Sequence, residues 1–462
     1  MHGDGRVAAL ALCTALVTAC TTGSGPGSDT SPNNGAQERP NILIIVTDDQ
    51  PVGTMPAMPE TQRYFSDEGV TFTRAYSTTP ACCPARASIM TGKYAHNTGV
   101  LTNEDAAKLD QDTTLQAYLR PAGYRTGMVG KFLNLWTGPP PHFDRWALKL
   151  GSRRERYFDT SWVVDGAEKQ TVPGYWTEPF VGYVDSFLND WEGNDDEPWF
   201  LWLAISAPHA PYLPEPKYED APVSEWENAG SAPEADKTDK PPYVQAANAS
   251  RAMGAEARAR QLRTLMSADD AVADVMGMLD ELGEDNTLAF FASDNGYLWA
   301  HHGLLGTYLS KGNPYAGSVT IPMMMRWPGT LDEGAFDDRL VGLLDIAPTI
   351  YEATGVDGPP AMDGHSLLDE WDRRWILNEF WQKRGDHRST VPDWTGLRTH
   401  DFSYVEYTVG DEIIFREYYD LRADPLELDN LLGDSDTAND PDIEELHRRL
   451  EVARTCAGDA CP

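Results

Sequence analysis

The chain has 462 residues, with 72 acidic against 37 basic side chains and a formal net charge of −35. That balance argues against a nucleic-acid binder, which must neutralise phosphates with lysine and arginine. The acidic, solvated surface repels other anions, so any basic residue at a conjectured site gains weight.

The first segment reads as a leader. Arg6 is followed by the apolar run Val7 to Val17, the layout of a secretory signal and shorter than a membrane span of ~20 residues. The run ends in Val17-Thr18-Ala19-Cys20, which resembles a bacterial lipobox, whose cysteine becomes the lipidated first residue of the mature protein. On that reading residues 1–19 are a signal peptide and the protein is exported, held at the cell surface by lipid on Cys20 and touching the membrane in no other way. A secreted protein, with an ordinary cleaved signal and a coincidental Cys20, is the alternative. Residues 20–39 are rich in Thr, Ser, Gly, Pro and Asn without periodicity, as in a flexible tether. Roughly 420 residues remain, enough for a large α/β domain and a smaller one.

"NILIIVTDDQ" opens the body with a continuous apolar run, Ile42 to Val46, ending in Asp48 and Asp49. A strand buried on both faces has this form. "YRTGMVGK", "WFLWLAISAPH" and "LAFFASDNG" repeat it, each ending in polar residues with Gly or Pro nearby. Between the last two, Leu262, Leu265, Met266, Val272, Met276 and Leu279 recur at helical spacing before Gly283. Alternating strands and helices predict an α/β fold built on a large, mostly parallel sheet, with ligands at the carboxyl ends of its strands. Pro214 to Tyr243 lacks periodicity and reads as a long surface excursion, a lid candidate. Beyond Trp371, "FSYVEYTV" and "DEIIFREYY" predict antiparallel strands, and a final helix is expected around Ile443 to Ala453. The expected division is a catalytic domain over 40–371 and a smaller C-terminal α+β subdomain over 372–462.

Asp48 and Asp49 end one predicted strand, and Asp294 and Asn295 end another. If those ends meet, the four side chains make an all-oxygen cluster suited to calcium or magnesium rather than zinc. Each pair alone is also an ordinary turn sequence. The cysteines add a second clue. Cys13 lies in the leader, Cys20 at the lipobox, and Cys456 and Cys461 sit five apart near the C-terminus, either as a disulfide or as two free thiols. Cys82 and Cys83 are adjacent, and a vicinal pair must strain its peptide to bridge, so at least one of them is expected to carry chemistry.

Cys82-Cys83-Pro84-Ala85-Arg86, followed by Met90-Thr91-Gly92-Lys93, resembles the Cys-x-Pro-x-Arg signature of the type I sulfatases, whose fold is alkaline phosphatase-like. "RPNILIIVTDDQ", "GYRTGMVGKFLN", "SAPHAPY", "FASDNG", "HHGLLGTYLSKGNPY", "LLDIAPTIYEATGV" and "EYYDLRADPLELDNLL" resemble further segments of that family, in the family's order. The resemblance implies that a formylglycine-generating enzyme converts Cys82 to Cα-formylglycine, Cys83 being a small buried hydrophobe. It also implies one Ca2+, with Mg2+ the alternative, held by Asp48, Asp49, Asp294, Asn295 and the modified Cys82. A hydroxyl of the hydrated aldehyde would attack the sulfur of a sulfate monoester while Asp294 accepts its proton. Arg86 would orient the hydrate, Lys131 would bridge it and a sulfate oxygen, and Lys311 or His209 would protonate the leaving alcohol.

Two departures stand out. Many family members carry a histidine two residues after the third-segment lysine, where this chain has Leu133 followed by Asn134. His302 is then a candidate base for sulfate release, with a loop-capping role as the alternative. Ala85 occupies a position where serine is commonest. "CCPARASIMTGKYAHNTGV" and "GKFLN" look most like the N-acetylglucosamine-6-sulfatase and extracellular glucosamine sulfatase branch, so a sulfated sugar is the expected substrate, with His96, Asn97, Asn134 and His302 as candidate substrate contacts. Aryl sulfates come next within the class. Phosphomonoester or phosphodiester hydrolysis on the same architecture, and an unactivated glycan-binding surface lipoprotein, are the readings from other classes.

Overall fold

The structure is a computed structural model that describes residues 39–461, apart from 152, 193–196, 227–231, 307 and 383–389. The expected signal peptide, the lipobox at Cys20 and all but the last residue of the tether lie outside the described residues. Among those described, no helix is long and apolar enough to cross a membrane.

The apolar runs form the middle of a ten-stranded sheet. Its order is Ala335–Asp337, Val70–Phe72, Met323–Arg326, Thr287–Ser293, Asn41–Asp48, Trp199–Pro208, Arg125–Gly130, Arg145–Leu150, Phe158–Val164, Gln170–Tyr175. The block from Thr287–Ser293 to Arg145–Leu150 is parallel throughout. Antiparallel strands flank it on either side, so the whole is a mixed sheet with a parallel centre.

Each central strand is buried on both faces because side chains alternate across the pleat. Ile42, Ile44 and Val46 point into one core, and Leu43 and Ile45 into the other. The second core is closed by the helix Arg251–Leu282, whose Leu262, Leu265, Val272, Met276 and Leu279 face the sheet; Met266 is only partly buried. Ser250 caps that helix by accepting from the Met253 amide, and Gly283, at φ +80°, ends it. The first core is closed by the helices Cys82–Thr91 and Ile346–Thr354.

A separate antiparallel sheet of Ile376–Phe380, Asp393–Arg398, Phe402–Val409 and Glu412–Asp420 follows, with the helix Ile443–Ala453. Cys456 and Cys461 are joined as a disulfide. The excursion after Pro214 is tied down where it is described. Arg258 donates to the Ser224 carbonyl at 2.8 Å, and the buried Lys240 pairs with Glu234 at 3.1 Å and bonds the Leu428 carbonyl at 2.5 Å.

Candidate active site

The parallel block sends its carboxyl ends to one edge, and the polar residues predicted there converge. Asp48 and Asp49 end one strand, Asp294 and Asn295 follow its neighbour on one side, and His209 follows its neighbour on the other. Lys131 follows the next strand along. Gly130 makes that turn possible: at φ +109°, a Cβ there would meet the Ala204 carbonyl oxygen at 2.1 Å. Asp49 itself sits at φ +68°, a strained conformation for a non-glycine residue.

Cys82 opens the helix Cys82–Thr91, every residue of which is buried. Its place at the helix N-terminus faces the partial positive end of the backbone dipoles. Arg86 lies four residues on, hence on the same face. Cys83 points into the apolar core, and its backbone N–H donates to Asn103 Oδ1 at 2.9 Å.

At the centre, Cys82 Sγ lies 3.3 Å from Asp48 Oδ1, 4.0 Å from Asp49 Oδ1 and 3.1 Å from Lys311 Nζ. Each carboxylate has its own cation. Lys131 Nζ reaches Asp48 Oδ2 at 2.5 Å, Lys311 Nζ reaches Asp49 Oδ1 at 2.5 Å, and Arg86 Nε reaches Asp294 Oδ2 at 2.9 Å. Arg86 also donates to the Lys131 carbonyl at 3.0 Å, tying helix to strand end. His209 Nδ1 is 3.0 Å from the Ala210 carbonyl, which leaves Nε2 facing Asp49 Oδ2 at 3.7 Å.

These groups have displaced protonation equilibria. Burial alone would raise the Asp48 carboxyl, but Lys131, His209, Arg86 and Lys311 outweigh it and hold it well below the usual range. Asp49 is likewise lowered, burial being overcome chiefly by Lys311 and His209. Asp294 goes the other way, pushed to about 6 by burial and by Asp48. Burial and the Asp48 charge raise the Cys82 thiol to about 12. His209 falls to about 4 through burial, whereas Lys311, against burial, is held well above its ordinary value by Asp49 and Cys82.

One ligand atom each from Asp48, Asp49, Cys82 and His209 fit within 4.8 Å of one another, the span of a metal site. Asn295 adds a fifth group. Its Nδ2 donates to Asp49 Oδ1 at 2.8 Å, while its Oδ1 is buried with no hydrogen-bond partner. An orphaned buried acceptor beside two carboxylates is what a hard cation satisfies. His209, expected only as a proton donor, therefore also stands among the possible ligands.

The predicted substrate contacts fare differently. His96 is engaged by the protein at both ring nitrogens, Nδ1 with Glu379 at 2.8 Å and Nε2 with the Cys456 carbonyl at 3.0 Å, which leaves no ring atom for a sugar. Asn97 donates to Asp363 and to the same carbonyl, both at 2.8 Å. The two residues therefore clamp the C-terminal disulfide loop instead of facing substrate. His302 is also structural: it is buried, pairs through Nδ1 with Glu234 at 2.7 Å and stacks 4.1 Å from the Tyr315 ring, so it anchors the excursion after Pro214. Leu133 is packed in the apolar core, while Asn134 Oδ1 is a buried acceptor without a partner. Sequence reasoning did not reach the small cleft beside Lys311, lined by Asn103, Tyr308, Phe380 and Trp381. Asn103, Phe380 and Trp381 lie far in the chain from Tyr308 and Lys311 and fall in none of the segments that carry the resemblance.

Residues 40–356 match the Sulfatase family. The chain belongs to the sulfatase family. Residues 306–455 of this sulfatase also match the family described as N-sulphoglucosamine sulphohydrolase, C-terminal. The extracellular sulfatase SULF-1 homolog of Drosophila melanogaster is 33% identical over 362 residues, which are 73% of this chain and 32% of that protein. A Caenorhabditis elegans relative, the extracellular sulfatase Sulf-1 homolog, is 30% identical with 51% of its length covered, so this sulfatase spans about a third and a half of these two proteins. The N-acetylglucosamine-6-sulfatase of Homo sapiens is 28% identical over 487 residues, covering 92% of this chain and 86% of that one. A solved structure described as a complex with its substrate D-glucosamine-2-N,6-O-disulfate superposes with a TM-score of 0.76 at 23% identity, over 90% of this chain and 97% of that one. The phosphonate monoester hydrolase of Agrobacterium radiobacter reaches 0.69 at 22%, over 89% and 95%. The shared fold thus hosts more than one ester chemistry, and the choice between them rests on the site.

Proposed function

We propose that the protein hydrolyses sulfate monoesters of glucosamine 6-sulfate type, with aryl sulfates as secondary substrates, after conversion of Cys82 to formylglycine. One observation carries this reading. Cys82, the first residue of the Cys-x-Pro-x-Arg frame, opens a buried helix and sets its Sγ within 3.3 Å of Asp48 Oδ1 and 3.1 Å of Lys311 Nζ, at the point where the strand-end carboxylates and cations converge. That is the position from which a hydrated aldehyde at residue 82 would reach both a metal and a sulfate ester. The hydrated aldehyde supplies two hydroxyls on one carbon, one to attack sulfur and one whose deprotonation expels sulfate, so that water need not attack the sulfated enzyme.

The chain's own residues fit those needs. Asp294, held by Arg86 at 2.9 Å beside the strand ends, is placed to accept the proton of the attacking hydroxyl. Arg86 fixes Asp294 and the helix that bears residue 82. Lys311, kept protonated, is a donor for the leaving oxygen, with His209 beside it, and Lys131 is placed for a sulfate oxygen. Asp48, Asp49, Asn295, Asp294 and residue 82 would hold one Ca2+, or Mg2+, with His209 at the same cluster. A bound divalent ion lowers the pKa of a coordinated hydroxyl and screens charge on the ester. With that charge at the carboxylates, Lys131 and Lys311 keep surplus positive potential for sulfate in an otherwise acidic protein.

The substrate class is supported by the names of the relatives and by the cleft beside Lys311, where the partly exposed Trp381 is an aromatic side chain of the kind that packs on sugar rings. Asn134 Oδ1 is the remaining candidate for a substrate hydroxyl. The antiparallel sheet from Ile376 supports division into a catalytic part, 40–371, and a C-terminal subdomain, 372–462. Export and anchoring at Cys20 complete the reading, supported by the leader composition. The test is sulfate release from glucosamine 6-sulfate, 4-nitrophenyl sulfate and 4-nitrophenyl phosphate by protein co-expressed with a formylglycine-generating enzyme. Preference for the phosphate ester would overturn the proposal.

A further inference from the structure

Four arginines, at positions 145, 153, 154 and 156, lie along the hairpin segment Arg145–Val164, and two of them, Arg145 and Arg154, are neutralised within it or nearby. Arg145 pairs with Asp165 at 2.7 Å and with Asp190, and Arg154 pairs with Asp159 at 2.7 Å. Arg156 has no such partner among the described residues. Its Nη1 donates to the Ala210 carbonyl, one residue after His209, while Nε and Nη2 have no protein acceptor and are not sealed from solvent. The neighbouring Tyr157 hydroxyl donates to the His209 carbonyl at 2.5 Å, so the hairpin is fastened to the loop that bears His209.

A second basic side chain stands behind the first. Lys149 is buried, its Nζ donates to the Arg156 carbonyl at 2.5 Å, and it lies 5.5 Å from the centroid of the Trp176 ring, with no carboxylate partner among the described residues. Burial and the Arg156 charge push it well below the ordinary lysine range, while Asp48 is close enough to act in the opposite sense. In a chain of net charge −35, an arginine with no acidic partner among the described residues, held beside the His209 loop, is best explained by an anion supplied from outside.

We infer that Arg156, backed by Lys149, forms a subsite for a second anionic group of the substrate, a sulfate or carboxylate carried by the same sugar as the scissile 6-sulfate or by its neighbour. This rests on the sulfatase reading and sharpens it: the substrate is a polyanionic sugar, and an aryl sulfate lacks the group that Arg156 binds. The planar guanidinium retains an open edge, which suits an oxyanion in a way that a single ammonium does not.

The experiment compares Arg156→Met and Arg156→Lys with the parent enzyme, all with conversion of Cys82 verified. The substrates are glucosamine 6-sulfate, glucosamine 2-N,6-O-disulfate and a 6-sulfated disaccharide bearing a uronate. Arg156→Met is expected to raise KM for at least one two-anion substrate about tenfold more than for the monosulfate, with Arg156→Lys recovering most of the difference; whichever substrate responds identifies sulfate or carboxylate. An equal change on all three, the mark of a purely structural arginine, would overturn the subsite. Binding separates this outcome from failure of the sulfatase reading. N-sulfoglucosamine and glucuronate, neither of which has a 6-sulfate, are titrated into Cys82→Ala protein with and without Arg156→Met. Arg156-dependent binding without any 6-sulfate turnover keeps the subsite and rejects the reaction, and absence of such binding together with uniform kinetics rejects the subsite.

Discussion

Lys311 Nζ stands 3.1 Å from Cys82 Sγ and 2.5 Å from Asp49 Oδ1, bridging the residue to be modified and a candidate metal ligand. The lysine is buried, and its charge is kept by Asp49 and Cys82 against the cost of desolvation. A preorganised donor in a site of this kind acts most strongly on charge that develops during reaction. Lys311→Ala is therefore expected to lower kcat by ~10²–10³-fold with a smaller change in KM. Lys217→Ala is the control: its side chain is about half exposed and pairs with Asp270 at 2.8 Å, away from the strand ends. Steady-state sulfate release, with residue 82 conversion verified in each variant, decides it. Near-parental kcat for Lys311→Ala would remove the lysine from the mechanism.

Cys82 and Cys83 should behave asymmetrically. Cys82 faces the charged cluster and Cys83 faces the apolar core. Peptide mass spectrometry after co-expression with the generating enzyme is expected to show a loss of ~18 Da at Cys82, sulfur replaced by oxygen and two hydrogens removed, and none at Cys83. Cys83→Ala should keep activity at reduced stability, and Cys82→Ala should abolish activity. The opposite pattern would reverse the assignment.

Removal of the divalent ion should expose the pairing of charges at the site. Chelation is expected to suppress turnover and lower the melting temperature, and added Ca2+ should restore both. A ligand at 100 times its Kd adds about 2.7 kcal/mol of stability, a readily measured shift. Asn295→Leu, which removes the orphaned acceptor, should weaken the response to Ca2+ in the same melting assay. Stoichiometric zinc in the purified protein, or a melting temperature indifferent to chelation, would contradict the oxygen-rich site.

How much of this could be read from the chain depends on the range of the interactions. Asp48, Asp49, Asp294, Lys131 and His209 were legible because each closes a local apolar run, and a parallel sheet carries all such ends to one edge. Arg86 was legible from its spacing to Cys82 along one helix. The roles of His96 and His302 were not. Their partners Glu379 and Glu234 are set by tertiary packing over separations of 283 and 68 residues, and a histidine in a polar loop looks the same whether it meets a sugar or a buried carboxylate. Arg156 was equally silent, since its meaning lies in a neutralising partner that its neighbours Arg145 and Arg154 have and that it lacks among the described residues.

The last prediction concerns His96 and stability. Burial disfavours its charged form, but the hydrogen bond and charge of Glu379 and the Cys456 carbonyl outweigh that and raise its pKa above the ordinary 6.5. A histidine raised on folding contributes stability that is fully present below its unfolded pKa and is lost as pH rises through the folded value. The parent protein should therefore lose part of its stability on moving upward from about pH 6.5. His96→Gln, with no titrating ring, should be less stable at pH 6 and show a flatter profile across that window. Denaturant unfolding of both proteins at a series of pH values, with other titrations cancelling in the difference, measures the slope. A difference between the two proteins that does not change with pH would mean that His96 holds the C-terminal loop as a neutral hydrogen-bonding group, without the ion pair to Glu379.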